Sequence, residues 1–306
     1  MQRVLVTTGH TYVDIDGLAC VFAYNELLVK EGKKSTALLQ GVWNHSIPEK
    51  VQKWGMNFHK EYRAIAGDQF VVMDMSGVSY IKESLDVNNI IELYDHHFGF
   101  ENYWKNLLGE RSHIENVGAC VTLIIEQWQK RLPHEKLSHQ SAQLLGWALI
   151  SNTLNFKSIL TTQRDLEAFS YIQLYLVDNP NWVIDYFQDQ DRSVAQNPRF
   201  AIHWDSKRIH TLYIERDIEI AQLELWEGES FISKHKEMLE DISQERKETY
   251  WMLTVVSIKD GHNYLYTTSQ EVRKVLTDKI GATFEGDRGT TKTLLLRKEI
   301  LRELKA

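Results

Sequence analysis

Residues 4–17 read Val-Leu-Val-Thr-Thr-Gly-His-Thr-Tyr-Val-Asp-Ile-Asp-Gly. Val4-Leu5-Val6 has strand composition, a polar turn follows, and Leu18 to Val29 carries helical apolar spacing. A strand that passes through a polar turn into a helix opens a βαβ unit. The pattern recurs outward from this stretch. Phe70-Val71-Val72-Met73 leads into a helical pattern at Ser79 to Leu85, and Ile90-Ile91-Glu92-Leu93-Tyr94 follows. Such alternation specifies an α/β fold with an N-terminal doubly wound, mostly parallel sheet.

Three helices are expected next, Cys120 to Arg131, Ser138 to Ile150 and Thr162 to Leu176, the last opened by an N-cap region at Thr161-Thr162-Gln163-Arg164-Asp165. Periodicity fades from Asp185 to Asp205, where Pro198 and several Asp, Gln and Asn residues fall. The domain boundary is placed there, dividing the chain into 1–190 and a smaller α/β domain, 191–306. The second part reads as strands Arg208 to Tyr213 and Ile218 to Leu225, then a long polar helix, Ser230 to Tyr250. Strands Met252 to Ile258 and Tyr264 to Thr268, a helix Gln270 to Ile280 and a last strand near Thr293 to Leu296 complete it.

The chain has 306 residues, 43% hydrophobic and 25% charged, enough for a sizeable core without disulfides. Lys plus Arg is 35 against 42 Asp plus Glu, a net charge of −7, which argues against duplex nucleic acid as the partner. Cys20 and Cys120 sit inside apolar runs, as in a reduced, cytoplasmic protein. No run reaches the roughly 18 apolar residues of a membrane span, and no secretory h-region follows Met1, so no membrane partner is expected.

The polar residues cluster at strand ends. His10, Asp14 and Asp16 follow the first strand, Asp74 ends the second strong apolar run, and Asp95-His96-His97 ends the third. A helix-capping Asp in a polar turn is the bland account of Asp14 or of Asp74 taken alone. Adjacent histidines directly after a buried strand, however, cost packing unless something binds them. Three strand ends delivering Asp and His to one sheet edge make a candidate two-metal site. Its oxygen and nitrogen donors suit Mn²⁺ or Mg²⁺ better than a structural zinc.

Asp95-His96-His97 resembles the signature of the DHH phosphoesterases, and Gly9-His10 with Asp14-x-Asp16 resembles that superfamily's first motif. The second half resembles the DHHA2 domain of manganese-dependent family II inorganic pyrophosphatases and related exopolyphosphatases. The matches there are Glu219-Ile220-Ala221-Gln222, the polar helix Lys234 to Lys247, and Arg297-Lys298. The resemblance implies two ions, Mn²⁺ or else Mg²⁺ or Co²⁺: one on His10, Asp14 and Asp74, the other on Asp16, Asp74 and His96, with Asp74 bridging. It implies that His97 faces the substrate phosphate, that Asp95 orients the histidines, and that Arg297 and Lys298 close over the distal phosphate. Asp205-Ser206-Lys207 is similar to a phosphate-binding Asp-Ala-Lys, making Lys207 a further substrate contact.

The chain departs from that pattern in three places. In Ser151-Asn152-Thr153-Leu154-Asn155-Phe156-Lys157-Ser158, Asn152 stands where the family has an Asp ligand of the second ion, which weakens that position. Val13 replaces a usual Pro. Met75-Ser76-Gly77 after Asp74 lacks a His common in the pyrophosphatases. The implied activity is metal-dependent hydrolysis of a phosphoanhydride in pyrophosphate or a short polyphosphate. The alternatives are a phosphodiesterase or nucleotidase acting on a small nucleotide, and a phosphate-ligand-binding protein whose turnover is weakened or lost. The partner is in each case a small phosphorylated molecule, and a homodimer is left open. Trp128, Trp147 and Tyr171 read as packing residues; Trp43, Trp54, Tyr103 and Trp104 fall in loop-like stretches and could stack on a nucleobase.

Overall fold

The computed structural model describes residues 3–9, 12–54, 60–62, 65–176, 181–211, 213–214, 216–246 and 250–305. It divides into two compact units, Met1–Val183 and Ile184–Ala306. In the first, the elements run β1 (Val4–Thr7), β2 (Tyr12–Val13), α1 (Ile15–Lys30), β3 (Ser35–Leu38), β4 (Val42–Trp43), α2 (Glu49–Gln52), β5 (Gln69–Met73), α3 (Val78–Ser84), β6 (Ile90–Asp95), α4 (Glu101–Leu108) and β7 (Ser112–Ile114). Helices α5 (Val121–Arg131), α6 (His139–Asn152) and α7 (Gln163–Ile172) follow, and α8 (Trp182–Gln196) leads into the second unit.

The main sheet of the first unit is wholly parallel, in the order β3-β1-β5-β6-β7. Its strands are apolar nearly throughout: Val4, Leu5, Val6, Phe70, Val71, Val72 and Met73 are all buried, as expected of a sheet covered on both faces. On one face Phe70, Val72, Leu93, Ile81, Leu85, Trp104 and Leu108 form one cluster under α3 and α4. From β1 the chain crosses to β3 on one side; from β5 it crosses to β6 on the other. The order therefore reverses between β1 and β5, and the crevice at the carboxyl ends of those strands is where such sheets bind ligands.

The second unit continues with α9 (Pro198–Trp204), β8 (Ser206–Ile209), β9 (Ile218–Leu225), α10 (Glu229–Lys234), α11 (Lys236–Glu245), β10 (Tyr250–Ser257), β11 (His262–Tyr266), α12 (Gln270–Ile280), β12 (Thr283–Glu285), β13 (Arg288–Thr290) and α13 (Arg297–Lys305). Its sheet, ordered β12-β13-β11-β10-β9-β8, is parallel only between β9 and β10. Side chains alternate between two cores. Ala221, Leu223, Leu253 and Val255 join Ile202, Phe231, Leu239 and Ile242, whereas Ile218, Ile220 and Met252 join Val272, Leu276, Ile300 and Leu304.

Several elements differ from expectation. The stretch from Asp185 to Asp205 is helical. Tyr186, Gln190 and Val194 form a buried stripe at four-residue spacing, and the polar Gln190 in its middle hides the period. Pro198, which reads as a breaker, opens α9 behind Asn197, whose side chain accepts from the N–H of Phe200. The long polar helix divides at His235 into α10 and α11, and Tyr250 belongs to β10. No ladder forms at Thr293 to Leu296. There the Asn263 side chain bonds both the N–H and the carbonyl of Leu295 (2.9 and 2.6 Å), taking the place of a partner strand. The strand expected to reach Tyr213 stops at Ile209.

Candidate metal centre

Asp14 is the N-cap of α1, its Oδ1 accepting from the N–H of Gly17 at 2.9 Å. Two residues on, the fully buried Asp16 accepts from the N–H groups of Cys120 and Val121, at 2.8 and 2.9 Å. Cys120 offers α5 no side-chain cap of its own, so a carboxylate from α1 serves as its anion. Asp74 follows β5 in the left-handed region, φ 56°, a conformation an Asp tolerates at some cost. Its N–H donates to the carbonyl of Tyr94 at 2.8 Å, tying the ends of β5 and β6 together. A methyl on Gly17 would lie 2.8 Å from the Thr8 methyl, 3.5 Å from Asp14 Oδ1 and 3.6 Å from Asp74 Oδ2, so both carboxylates meet at that glycine.

At the end of β6 the buried Asp95 accepts through Oδ1 from the N–H groups of His96 and His97 (2.8 and 3.1 Å) and from His97 Nδ1 (2.8 Å). His96 is buried, and its Nδ1 lies 3.2 Å from the carbonyl of Val117. Its Nε2 is 3.5 Å from Asp74 Oδ1 and 3.9 Å from Asp16 Oδ2; His97 Nδ1 is 3.8 Å from the same Asp74 oxygen. Asp74, His96 and His97 each offer a ligand atom within 4.8 Å of the others.

These gaps exceed hydrogen bonds, yet ligands sharing one ion at bond lengths of about 2.1 Å lie about 3 to 4 Å apart. Asp74 Oδ1 is buried and has no hydrogen-bond partner among the described residues. Burial lifts the Asp74 carboxyl well above the usual carboxylate range, with Asp16 and Asp14 adding repulsion. Burial, then the Asp14 charge, pushes Asp16 up to about 7, and burial also raises Asp14. Burial alone would raise Asp95, but the hydrogen bond and charge of His97 hold it below its ordinary value. Both thiols are buried; burial holds Cys120 up at about 11 and Cys20 well above its ordinary value, leaving hard donors to define the site. Crowded acids with an unpartnered oxygen fit a divalent cation, which would relieve their repulsion.

The first unit thus gathers Asp14, Asp16, Asp74, Asp95, His96 and His97, while His10 lies outside the described residues. Asn152 ends α6, its amide 3.5 Å from the carbonyl of Ala148 one turn back. Next to it Thr153 borders Gly118, the neighbour of Val117. The sequence reading missed this supporting layer. Buried Asp165 accepts from Gly118 N–H (2.9 Å), Thr122 Oγ1 (2.6 Å) and the N–H of Thr162 (2.7 Å), fixing the loop whose carbonyl meets His96. Of this layer only an N-cap region at residues 161–165 was legible, and there Thr162 and Asp165 form a capping box.

Lys207, Arg297 and Lys298 belong to the second unit. Lys207 and Lys298 are exposed. Arg297 is the first residue of α13, its guanidinium engaged by the backbone carbonyl (2.5 Å) and carboxylate (2.5 Å) of Asp205. Of the aromatic residues read as loop-like, Trp104 is fully buried in α4 and donates to the carbonyl of Ser76 at 2.7 Å, which removes it from base stacking. Trp54 stacks on Trp147, centroids 5.4 Å apart.

Fold and site together define a mixed α/β protein whose parallel sheet carries an Asp/His cluster of metal-ligand character at its switch point, buried except for His97. Among known proteins, the chain is 21% identical over 269 residues to a probable manganese-dependent inorganic pyrophosphatase of Clostridium acetobutylicum, covering 85% of this chain and 83% of that one. It is 27% identical over 175 residues to one of Bacillus pumilus bearing the same description, covering 55% and 54%. A Methanococcus jannaschii structure provisionally named a family II inorganic pyrophosphatase superposes with a TM-score of 0.69 at 19% identity, over 99% of this chain and 98% of that one. An exopolyphosphatase-related protein from Bacteroides fragilis gives 0.50 at 13% identity, over 99% and 90%. At these identities the structural likeness is one of fold. No family model matches the chain. No described helix is long and apolar enough to cross a membrane.

Proposed function

We propose that the protein is a divalent-metal-dependent phosphohydrolase that cleaves a phosphoanhydride, with Mn²⁺ the resident ion. The observation that carries the reading is that Asp74, His96 and His97 bring ligand atoms within 4.8 Å of one another, with Asp16 beside them and Asp74 Oδ1 without a hydrogen-bond partner among the described residues. The manganese-dependent pyrophosphatases similar to this chain support the choice of ion and bond.

In this reading His10, Asp14 and Asp74 hold one ion and Asp16, Asp74 and His96, with Asn152, the other. Bound there, the cations supply Lewis acidity toward a phosphoryl oxygen and the attacking water. The chain's own residues do the rest. Asp95, accepting from His97 Nδ1, fixes the ring so that Nε2 faces the substrate phosphate. The Val117 carbonyl fixes the His96 ring in the same way. The Tyr94 carbonyl holds Asp74 in its strained turn.

The test is phosphate release from pyrophosphate, tripolyphosphate and nucleotides under Mn²⁺, Mg²⁺ and Co²⁺, with Asp74→Asn as the dead control. Release with Mn²⁺ that Asp74→Asn abolishes is expected; absence of release with every metal would remove the hydrolase reading. Because Asn152 adds no charge, Asn152→Asp should lower the Mn²⁺ concentration needed for half-maximal rate.

A further inference from the structure

In the second unit a cavity of about 330 Å³ is lined from α9 by Arg199, Phe200, Ile202 and His203 and from the end of α11 by Ile242 and Arg246. Its apolar side is fixed in place. Ile202 and Ile242 belong to one of the unit's two cores, and the Phe200 ring stacks on Trp204, centroids 5.1 Å apart. Arg246 is deeply set, its side chain 13% exposed against 44% for Arg199. A guanidinium offers five N–H groups. Those of Arg246 reach the Glu219 carboxylate at 2.9 Å and the Ile242 carbonyl at 3.3 Å, and the group lies 5.7 Å from the Trp251 ring centroid. The Nε–H is buried without a hydrogen-bond partner among the described residues. A further contact joins the guanidinium to His203 Nδ1, at 3.4 Å. Because a guanidinium can only donate, Nδ1 is the acceptor, which puts the ring's N–H on Nε2.

The acceptors around the cavity are already engaged. Asn197 Oδ1 takes the N–H of Phe200, and the Glu245 carboxylate takes Arg199. The lining is therefore rich in donors beside an apolar wall, which suits an anion with an apolar body. The nearby acids limit its charge. Glu219 and Glu245 balance Arg246 and Arg199, so a dianion such as a phosphate would draw repulsion from two carboxylates, whereas a single charge held by directed hydrogen bonds is tolerated. We propose that this cavity binds a small organic monocarboxylate whose apolar body packs on Phe200, Ile202 and Ile242 and whose carboxylate accepts from the Arg246 guanidinium and His203 Nε2. The proposal is independent of the hydrolase reading, since none of these residues belongs to the Asp/His cluster.

The experiment is proton–nitrogen NMR of the full chain in chelator, following the arginine Nε–H signals during titration with phenylacetate. Phenylacetamide supplies the same body without the charge, acetate the charge without the body, and phenyl phosphate the dianion. Phenylacetate should shift the Arg246 signal, assigned by its loss in Arg246→Lys. It should bind about tenfold or more tightly than each of the others, the step that a charged hydrogen bond or a buried ring supplies. Phe200→Ala and His203→Ala, both at exposed positions of α9, should each weaken phenylacetate about threefold or more, with Tm close to that of the unaltered protein. Absence of a saturable shift, equal affinity for phenylacetamide, or undiminished affinity in both α9 variants would overturn the site. Tighter binding of phenyl phosphate would overturn the choice of a monocarboxylate. Binding that requires Mn²⁺ would place the carboxylate on the Asp/His cluster and overturn the proposal as well.

Discussion

Asp74 leaves a buried carboxylate oxygen without a hydrogen-bond partner among the described residues, whereas each oxygen of Asp16 accepts from a backbone N–H at the start of α5. Burial, then Asp16 and Asp14, raise the Asp74 carboxyl well above the usual range, so Asp74→Asn removes an acid whose charge the surroundings disfavour. Metal-free stability should stay within about 1 kcal/mol, while Mn²⁺ no longer raises Tm. Asp16→Asn leaves one of the Cys120 and Val121 N–H groups without an acceptor and should cost about 1–3 kcal/mol, with partial metal binding retained. Thermal melts with chelator and with Mn²⁺ separate the two. The raised Asp16 carboxyl also makes stability depend on pH. A folded-state value of about 7 against an ordinary 3.8 means that the stability held by protonated Asp16 is full below about pH 4 and is lost as pH rises to about 7. In chelator, Tm of the unaltered protein should fall over that window relative to Asp16→Asn, and Mn²⁺ affinity should rise with pH as protons cease to compete. Parallel melting curves for the two proteins would contradict this.

At the scale of elements, the cluster is held by helix starts and loops that touch no ion. Asp165, in the first turn of α7, fixes the loop before α5, and that loop's Val117 carbonyl meets His96. Asp165→Ala should cost about 3 kcal/mol by orphaning buried donors and weaken Mn²⁺ binding about tenfold or more through His96. Thr162→Ala, which loses the cap of α7 and the Thr162 hydroxyl's hydrogen bond to Asp165 but keeps the Gly118 and Thr122 donors on that carboxylate, should lower Tm by a smaller amount and leave the Mn²⁺ dissociation constant alone; equal loss of affinity in both would make the effect one of general loosening. In the second unit, Arg297 ties α13 to Asp205 at the foot of β8. Arg297→Ala should destabilise that unit by about 1–3 kcal/mol. A raised KM for substrate at unchanged Tm would instead support the phosphate-clamping role that the resemblance implies. The N-cap region of α7 at residues 161–165 was legible because a cap is a local event. The α5 cap was not, because its anion lies 104 residues away.

For the molecule as a whole, the two units have separate hydrophobic cores, and every residue of the Asp/His cluster lies in the first. Differential scanning calorimetry should resolve two transitions, of which Mn²⁺ at one hundred times its dissociation constant raises only the first, by about 2.7 kcal/mol of stability. A uniform shift of a single transition would show that the cores unfold together.

The parallel sheet was legible in the amino-acid pattern, because strands buried on both faces must be apolar and their crossover helices must carry helical period, and both patterns are local. The same pattern also placed Asp14, Asp16, Asp74 and Asp95-His96-His97 at strand ends, since a polar residue after a buried run has nowhere else to lie. Helix α8 escaped because Gln190 interrupts its stripe, and the lack of a ladder at Leu295 because one asparagine side chain replaces a strand. Tertiary packing alone sets that Asp74 Oδ1 is buried without a partner among the described residues, that Asp16 also anchors α5, that Asp165 supports His96, and that Trp104 is core while Phe98 is surface. Those distinctions depend on what lies opposite each side chain after the strands have been ordered around β1. Spacing along the chain carries no record of that.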